Sequence, residues 1–211
     1  DRDDVCSAPP TEKDKRRGIA GLVPIVKLAG AASQSAASLD ELEATTRKAV
    51  LQTRSVGVSM SPGSIPATGE PTFEIDEDKI GLGMGIHGEP GVSEIPMTTA
   101  DELTPMMLDL LFKDFDEDDE VAPLNEGDEI VFYVNSLGAT TMMECLICLR
   151  KAKEILNARG IKVHDTIVGP LVTCQEMAGI SFSVTRLDNE LKSLWNMGCE
   201  SICFRKMETV T

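Results

Sequence analysis

Five apolar residues in succession at 130–134, followed within a few residues by Thr141-Met142-Met143-Glu144, constrain the fold more than any other stretch of the chain. The apolar run reads as a strand. In the tetrad after it, the Thr141 hydroxyl is placed to accept an orphan amide proton at a helix start, and Glu144 to reach back to the cap. Gly160 then supplies the stop. A strand, a turn and a capped helix in that order make one α/β unit, around which the remaining elements must be arranged.

The other elements follow from periodicity and punctuation. Val56 and Val58 alternate with small residues until Ser61-Pro62-Gly63, which predicts a strand ended by a turn. Further strands are predicted at residues 72–75, 80–86, 161–168, 180–187 and 201–204. In the second of these Gly81, Gly83 and Gly85 share one face, where another backbone or a ligand can approach closely. Ile19, Leu22, Val23, Val26 and Ala29 recur at helical spacing over residues 19–32. Ser38-Leu39-Asp40-Glu41 and Thr99-Ala100-Asp101-Glu102 are capping boxes, predicting helices to about residues 53 and 112, and a short helix is expected at 188–195. Strands outnumber helices and several are adjacent in sequence. The expected fold is therefore α/β of the two-layer α+β type, a mixed β-sheet covered by helices on one side. Residues 1–17 carry ten charges and two prolines and read as a flexible charged arm, 18–54 as a helical segment, and 55–211 as the main α/β domain.

Charge narrows the function. Twenty basic against 35 acidic residues leave a net charge of −15, which repels a phosphate backbone, so neither a nucleic acid nor an anionic membrane is an expected partner. No apolar run reaches the length of a membrane span, and six cysteines in 211 residues are ordinary usage for a reducing, cytoplasmic setting. The start at Asp1, without an initiator Met, reads as a cleaved or constructed end.

The chain has two histidines. His164 alternates on a predicted strand and reads as structural. His87 closes an apolar strand between glycines that leave its ring open to a small ligand, with Glu89 two residues on and able to orient it; from the residues alone a functional and a structural role stand level. Cys145-Leu146-Ile147-Cys148 falls inside a helix, and neither Cys199/Cys203 nor Cys174 completes a zinc pattern, so buried core thiols are expected and no metal. No phosphate-cradling glycine loop followed by Lys and Ser or Thr occurs, so no nucleotide site is expected. Residues 135–140 cross from strand to helix, where free amides face an anion in some proteins, and the six carboxylates within residues 114–120 read as a solvated loop.

The run Gly85-Ile86-His87-Gly88-Glu89-Pro90-Gly91 resembles the substrate-binding subunit of dihydroxyacetone kinases. Four further blocks support the resemblance in the same order: Arg16-Arg17-Gly18-Ile19-Ala20, Ser55-Val56-Gly57-Val58, Pro71-Thr72-Phe73-Glu74 and Asn135-Ser136-Leu137-Gly138-Ala139-Thr140. It implies that His87 adds to the ketone carbon of dihydroxyacetone as a hemiaminal, with Gly85, Gly88 and Glu89 about the substrate. It implies no cofactor on this chain itself: ATP or ADP with Mg belongs to a nucleotide-binding partner subunit or domain. The family's acid/base His and Asp and its Gly-Gly-Ser-Gly-His loop come from an N-terminal domain and do not occur here. The chain is thus expected to be the second half of the subunit, inactive without the first, with residues 18–54 near the junction between them. A cytoplasmic homodimer phosphorylating dihydroxyacetone is the expected assembly. The alternatives are a kinase of a larger ketose such as erythrulose and a non-catalytic paralogue acting with a transcription regulator; a protein-binding role for residues 114–120 has only the charge run behind it.

Overall fold

The computed structural model describes residues 2–86, 89 and 91–209. The chain enters through a short 3-10 turn, Pro10–Lys15, and two helices, α1 (Leu22–Ala32) and α2 (Leu39–Leu51). Strands β1 (Thr53–Ser61), β2 (Lys79–Leu82) and β3 (Ser93–Pro96) follow, then α3 (Ala100–Asp116), β4 (Glu129–Ser136), α4 (Met142–Ala158), β5 (Lys162–Gly169), β6 (Ala178–Leu187) and α5 (Asn189–Asn196). A two-stranded ribbon, β7 (Cys199–Glu200) with β8 (Arg205–Lys206), completes the described chain. Both predicted capping boxes at Thr99 and Thr141 are formed, and Ser38 accepts the Glu41 amide.

Six strands form one mixed sheet in the order β3-β2-β1-β6-β4-β5. Only β4 and β5 run parallel, joined by α4 as the crossover; the other neighbours are antiparallel. Side chains alternate across β4. Ile130, Phe132 and Val134 enter a core with α3 and α4, whereas Val131 and Tyr133 enter a second core with α1, α2 and α5 around Trp195. The expected mixed sheet with helices is present, but its helices lie on both faces rather than one. The reason is the apolar run 130–134 itself: a strand with no polar side needs cover on two sides.

Several local expectations are corrected. Residues 72–75 form no strand, since next to them only an isolated bridge joins Ser64 and Pro71. The strand expected over 80–86 stops at Leu82 because Gly83 turns the chain at φ +74°. The segment at 201–204 is the turn of the β7–β8 ribbon, not a strand. Edge strand β3 was not expected, because four exposed or half-exposed residues ending in proline carry little strand signal.

Residues 2–17 are not a loose arm either. Val5 donates to the Ser55 carbonyl at 3.0 Å and Ser55 donates back to that of Asp3 at 2.6 Å, laying the segment beside β1. The Asp3 carboxylate accepts from the amides of Ile19 (3.0 Å) and Gly21 (2.8 Å) just before α1. Its charges have partners that composition alone does not reveal. Arg16 is buried on Asp114, which also accepts from Arg54 at 2.5 Å, and Lys13 reaches Asp118 at 2.8 Å. Asp114 and Asp118 are accordingly buried, so part of the acidic run is an ion-pair core and not a solvated loop.

Candidate functional site

Gly83 begins the loop between β2 and β3. Its N–H donates to the Gly57 carbonyl on β1 at 2.7 Å, and a Cβ there would stand 2.5 Å from the Cβ of Cys6. Past it, the Gly85 amide donates to the Glu89 carbonyl at 3.1 Å, the Gly91 amide to Met84 Sδ at 3.0 Å, and the Val92 amide to the Leu82 carbonyl at 2.9 Å. Ile86 packs with Phe73 onto Leu137, Cys174 and Met177, which anchors the loop to the turn after β4. A groove of about 320 Å³ runs beside it, between Phe73, Ile75, Gly81, Met84 and Val92.

Of the predicted site residues, Gly85 and Glu89 are brought together: a Cβ on Gly85 would begin 2.0 Å from Glu89 Oε2. The same point lies 2.8 Å from Arg17 Nη1. His87 and Gly88 lie outside the described residues. Arg17 donates through Nε to Asp4 Oδ2 at 2.6 Å and through Nη2 to the Gly83 carbonyl. Asp4 and Arg17 were not anticipated as part of this region. The signal was the pairing of Asp3-Asp4 with Arg16-Arg17, equal and opposite doublets at the two ends of one segment.

Burial dominates the electrostatics around the loop. It raises the Asp4 carboxyl to about 6 against the opposing pull of Arg17, and the Cys6 thiol to about 12 with the Asp4 charge adding to it. Burial also raises the thiol of Cys174, and the Glu89 carboxylate raises it further. Both thiols near the loop are therefore protonated at neutral pH and poor nucleophiles.

The remaining candidates are structural. His164 Nε2 is 2.8 Å from Asn196 Oδ1, and the ring sits on β5, at the opposite edge of the sheet from the loop. Cys145 and Cys148 are buried on α4, with both thiols raised by burial. Among the described residues no group of three or more His, Cys, Asp or Glu side chains is placed to hold a metal ion. In the turn at 135–140 three successive amides are already engaged: Leu137 donates to Gly179, Ala139 to Met177, and Gly138 to the Ser136 hydroxyl. Among the described residues no helix is long and apolar enough to cross a membrane.

The family described as Dak1 domain matches residues 2–203. Among curated proteins, the dihydroxyacetone-binding subunit DhaK of PTS-dependent dihydroxyacetone kinase 2 from Listeria innocua is 34% identical over 203 residues, 96% of this chain and 59% of that protein. The L-erythrulose kinase of Pectobacterium atrosepticum is 35% identical over 204 residues, 97% of this chain and 34% of that protein. The chain thus spans less than two thirds of either relative. Among solved structures, the dihydroxyacetone kinase operon co-activator Dha-DhaQ superposes with a TM-score of 0.79 at 26% identity, covering 93% of this chain and 59% of that one. The dihydroxyacetone kinase from C. freundii, in complex with AMP-PNP and Mg2+, superposes at 0.74 with 26% identity, over 86% of this chain and 32% of that one. The family match takes in every helix and every strand but β8, and the chain belongs to the Dak1 domain family.

Proposed function

We propose that this chain is the ketose-holding part of a dihydroxyacetone kinase and that His87 anchors the substrate covalently. In that step an imidazole nitrogen lone pair adds to the ketone carbon. The C=O π pair moves to oxygen, which takes up a proton as the ring N–H gives one up, and a neutral hemiaminal results. Fixing the ketone holds a terminal hydroxyl for phosphoryl transfer and rejects polyols that lack a carbonyl. The phosphoryl group comes from ATP, or a phosphoprotein working through bound ADP, with Mg on a nucleotide-binding partner subunit or domain; the C. freundii relative in complex with AMP-PNP and Mg2+, about two thirds of which lies beyond the part this chain matches, supports a nucleotide donor.

The observation that carries the reading is the 34% identity to a dihydroxyacetone-binding subunit over 96% of a chain that sets one of its two histidines among four glycines in residues 83–91. The protonated state of Cys6 and Cys174 supports it, because it leaves an imidazole as the better nucleophile near the loop. The test is a carbon-13 NMR titration with dihydroxyacetone labelled at the ketone carbon. A tetrahedral resonance is expected with the native chain and none with His87→Ala. A carbonyl signal unchanged by the full-length protein would reject the anchor.

A second reading has its own observation, the 35% identity to an L-erythrulose kinase. The adduct chemistry is the same, and competition between the two ketoses for the tetrahedral signal decides between them. The fold likeness to the operon co-activator makes a regulatory role the outcome favoured if neither ketose forms an adduct.

A further inference from the structure

Arg17 stands where three segments meet. Its guanidinium donates to Asp4 beside β1 and to the Gly83 carbonyl at the head of the loop, and its remaining nitrogen, Nη1, crowds the same side of Gly85 as the Glu89 carboxylate. Its own backbone is fixed as well, the amide donating to Ser7 Oγ at 3.2 Å and the carbonyl accepting from Asp4 at 3.3 Å. The planar fork therefore ties an N-terminal segment to the loop at Gly83 and stands on one side of Gly85, a geometry that a lysine ammonium cannot reproduce. A guanidinium needed only to neutralise Asp4 would not require the bond to the Gly83 carbonyl.

We propose that Arg17 is a positioning residue for the substrate loop, holding residues 83–86 and Glu89 in the shape in which the adduct forms. The inference rests on the reading of His87 as the anchor. A cation fixed between a backbone carbonyl and a carboxylate keeps a glycine-rich turn from sampling its many other conformations. Misplacing a reacting group by about an ångström costs on the order of 100-fold, so loss of that hold should register in the adduct before it registers in the fold.

The experiment pairs hydrogen exchange at the Gly85, Gly91 and Val92 amides with the carbon-13 titration, on the native full-length protein, Arg17→Lys, Arg17→Met and the double variant Asp4→Asn/Arg17→Met. The double variant removes both charges and so leaves no buried carboxylate unpaired. In it, loop exchange should speed up about tenfold or more and the adduct weaken by about 10- to 100-fold, with Arg17→Lys recovering part of each. Asp4→Asn alone, which keeps the bond from Arg17 to the Gly83 carbonyl, should disturb both less than the double variant does. Native loop exchange in a folded double variant would overturn the positioning role, whether or not an adduct forms. Slowed adduct formation with unchanged loop exchange would overturn it too. An absent adduct in the native protein would instead remove the His87 reading, and exchange would still decide the role of Arg17.

Discussion

Two glycines meet their neighbours in different ways. A Cβ on Gly138 would stand 2.0 Å from the Gln175 carbonyl oxygen, a backbone atom that cannot move aside, and the residue sits at φ +142°. Gly138→Ala should therefore cost several kcal/mol, read as a lowered denaturant midpoint. At Gly85 the obstructing atoms are the ends of two long side chains, Glu89 and Arg17. Gly85→Ala should leave the melting temperature within a few degrees of native while weakening the ketone adduct, and equal loss of both would refute that separation. Asp4 supplies a pH signature. Its folded pKa of about 6 exceeds the usual 3.8, so between those values the native state binds the proton more tightly. Stability then falls as pH rises through this window, by up to about 3 kcal/mol from this group, and the fall is complete above pH 6. Asp4→Asn should flatten that part of the stability profile; an unchanged slope between pH 4 and 6 would contradict the assignment. The nearness of Gly85 and Glu89 was legible because the two are local to one another. Arg17 was not, because its contacts join residues 13 and 66 positions apart.

At the scale of elements, the end of α3 turns on ion pairs that a charge count cannot assign. Arg54, on β1, donates to Asp114 and Asp118 and lies 4.9 Å over the ring of Phe115, while Arg16 and Lys13 close the cluster from the N-terminal segment. Removing one partner of such a buried set strands the others. Arg54→Met should destabilise the chain by about 3–5 kcal/mol in urea unfolding, against less than about 1 kcal/mol for Arg47→Met, whose pair with Glu43 is exposed. The helix starts were legible because a capping box is written in four adjacent residues. The strand ends were not: β2 stops at a glycine conformation, and β3 exists only because β2 pairs with it residue by residue from Lys79 to Leu82.

For the whole molecule, the mixed sheet could be read from element order, but its second helical layer could not, since α1, α2 and α5 come from opposite ends of the sequence to cover β4. The layers also sort the thiols. Cys203 is exposed, whereas Cys145 and Cys148 lie in the core, so a disulfide reagent should modify Cys203 in the native chain and reach the α4 pair only in denaturant. Prompt reaction of Cys145 would mean that α4 does not pack as described.

The N-terminal segment beside β1 has a further effect, on self-association. β2 pairs with β1 only at Val58 and Ser59, so near Ser55 the strand would present bare peptide groups on that flank were it not for Asp3 and Val5. An uncovered flank of this kind is a template for strand addition by a second molecule. Residues 3–5 thus act as a selvedge on the sheet, and a chain shortened past them should aggregate on warming well before its helices melt.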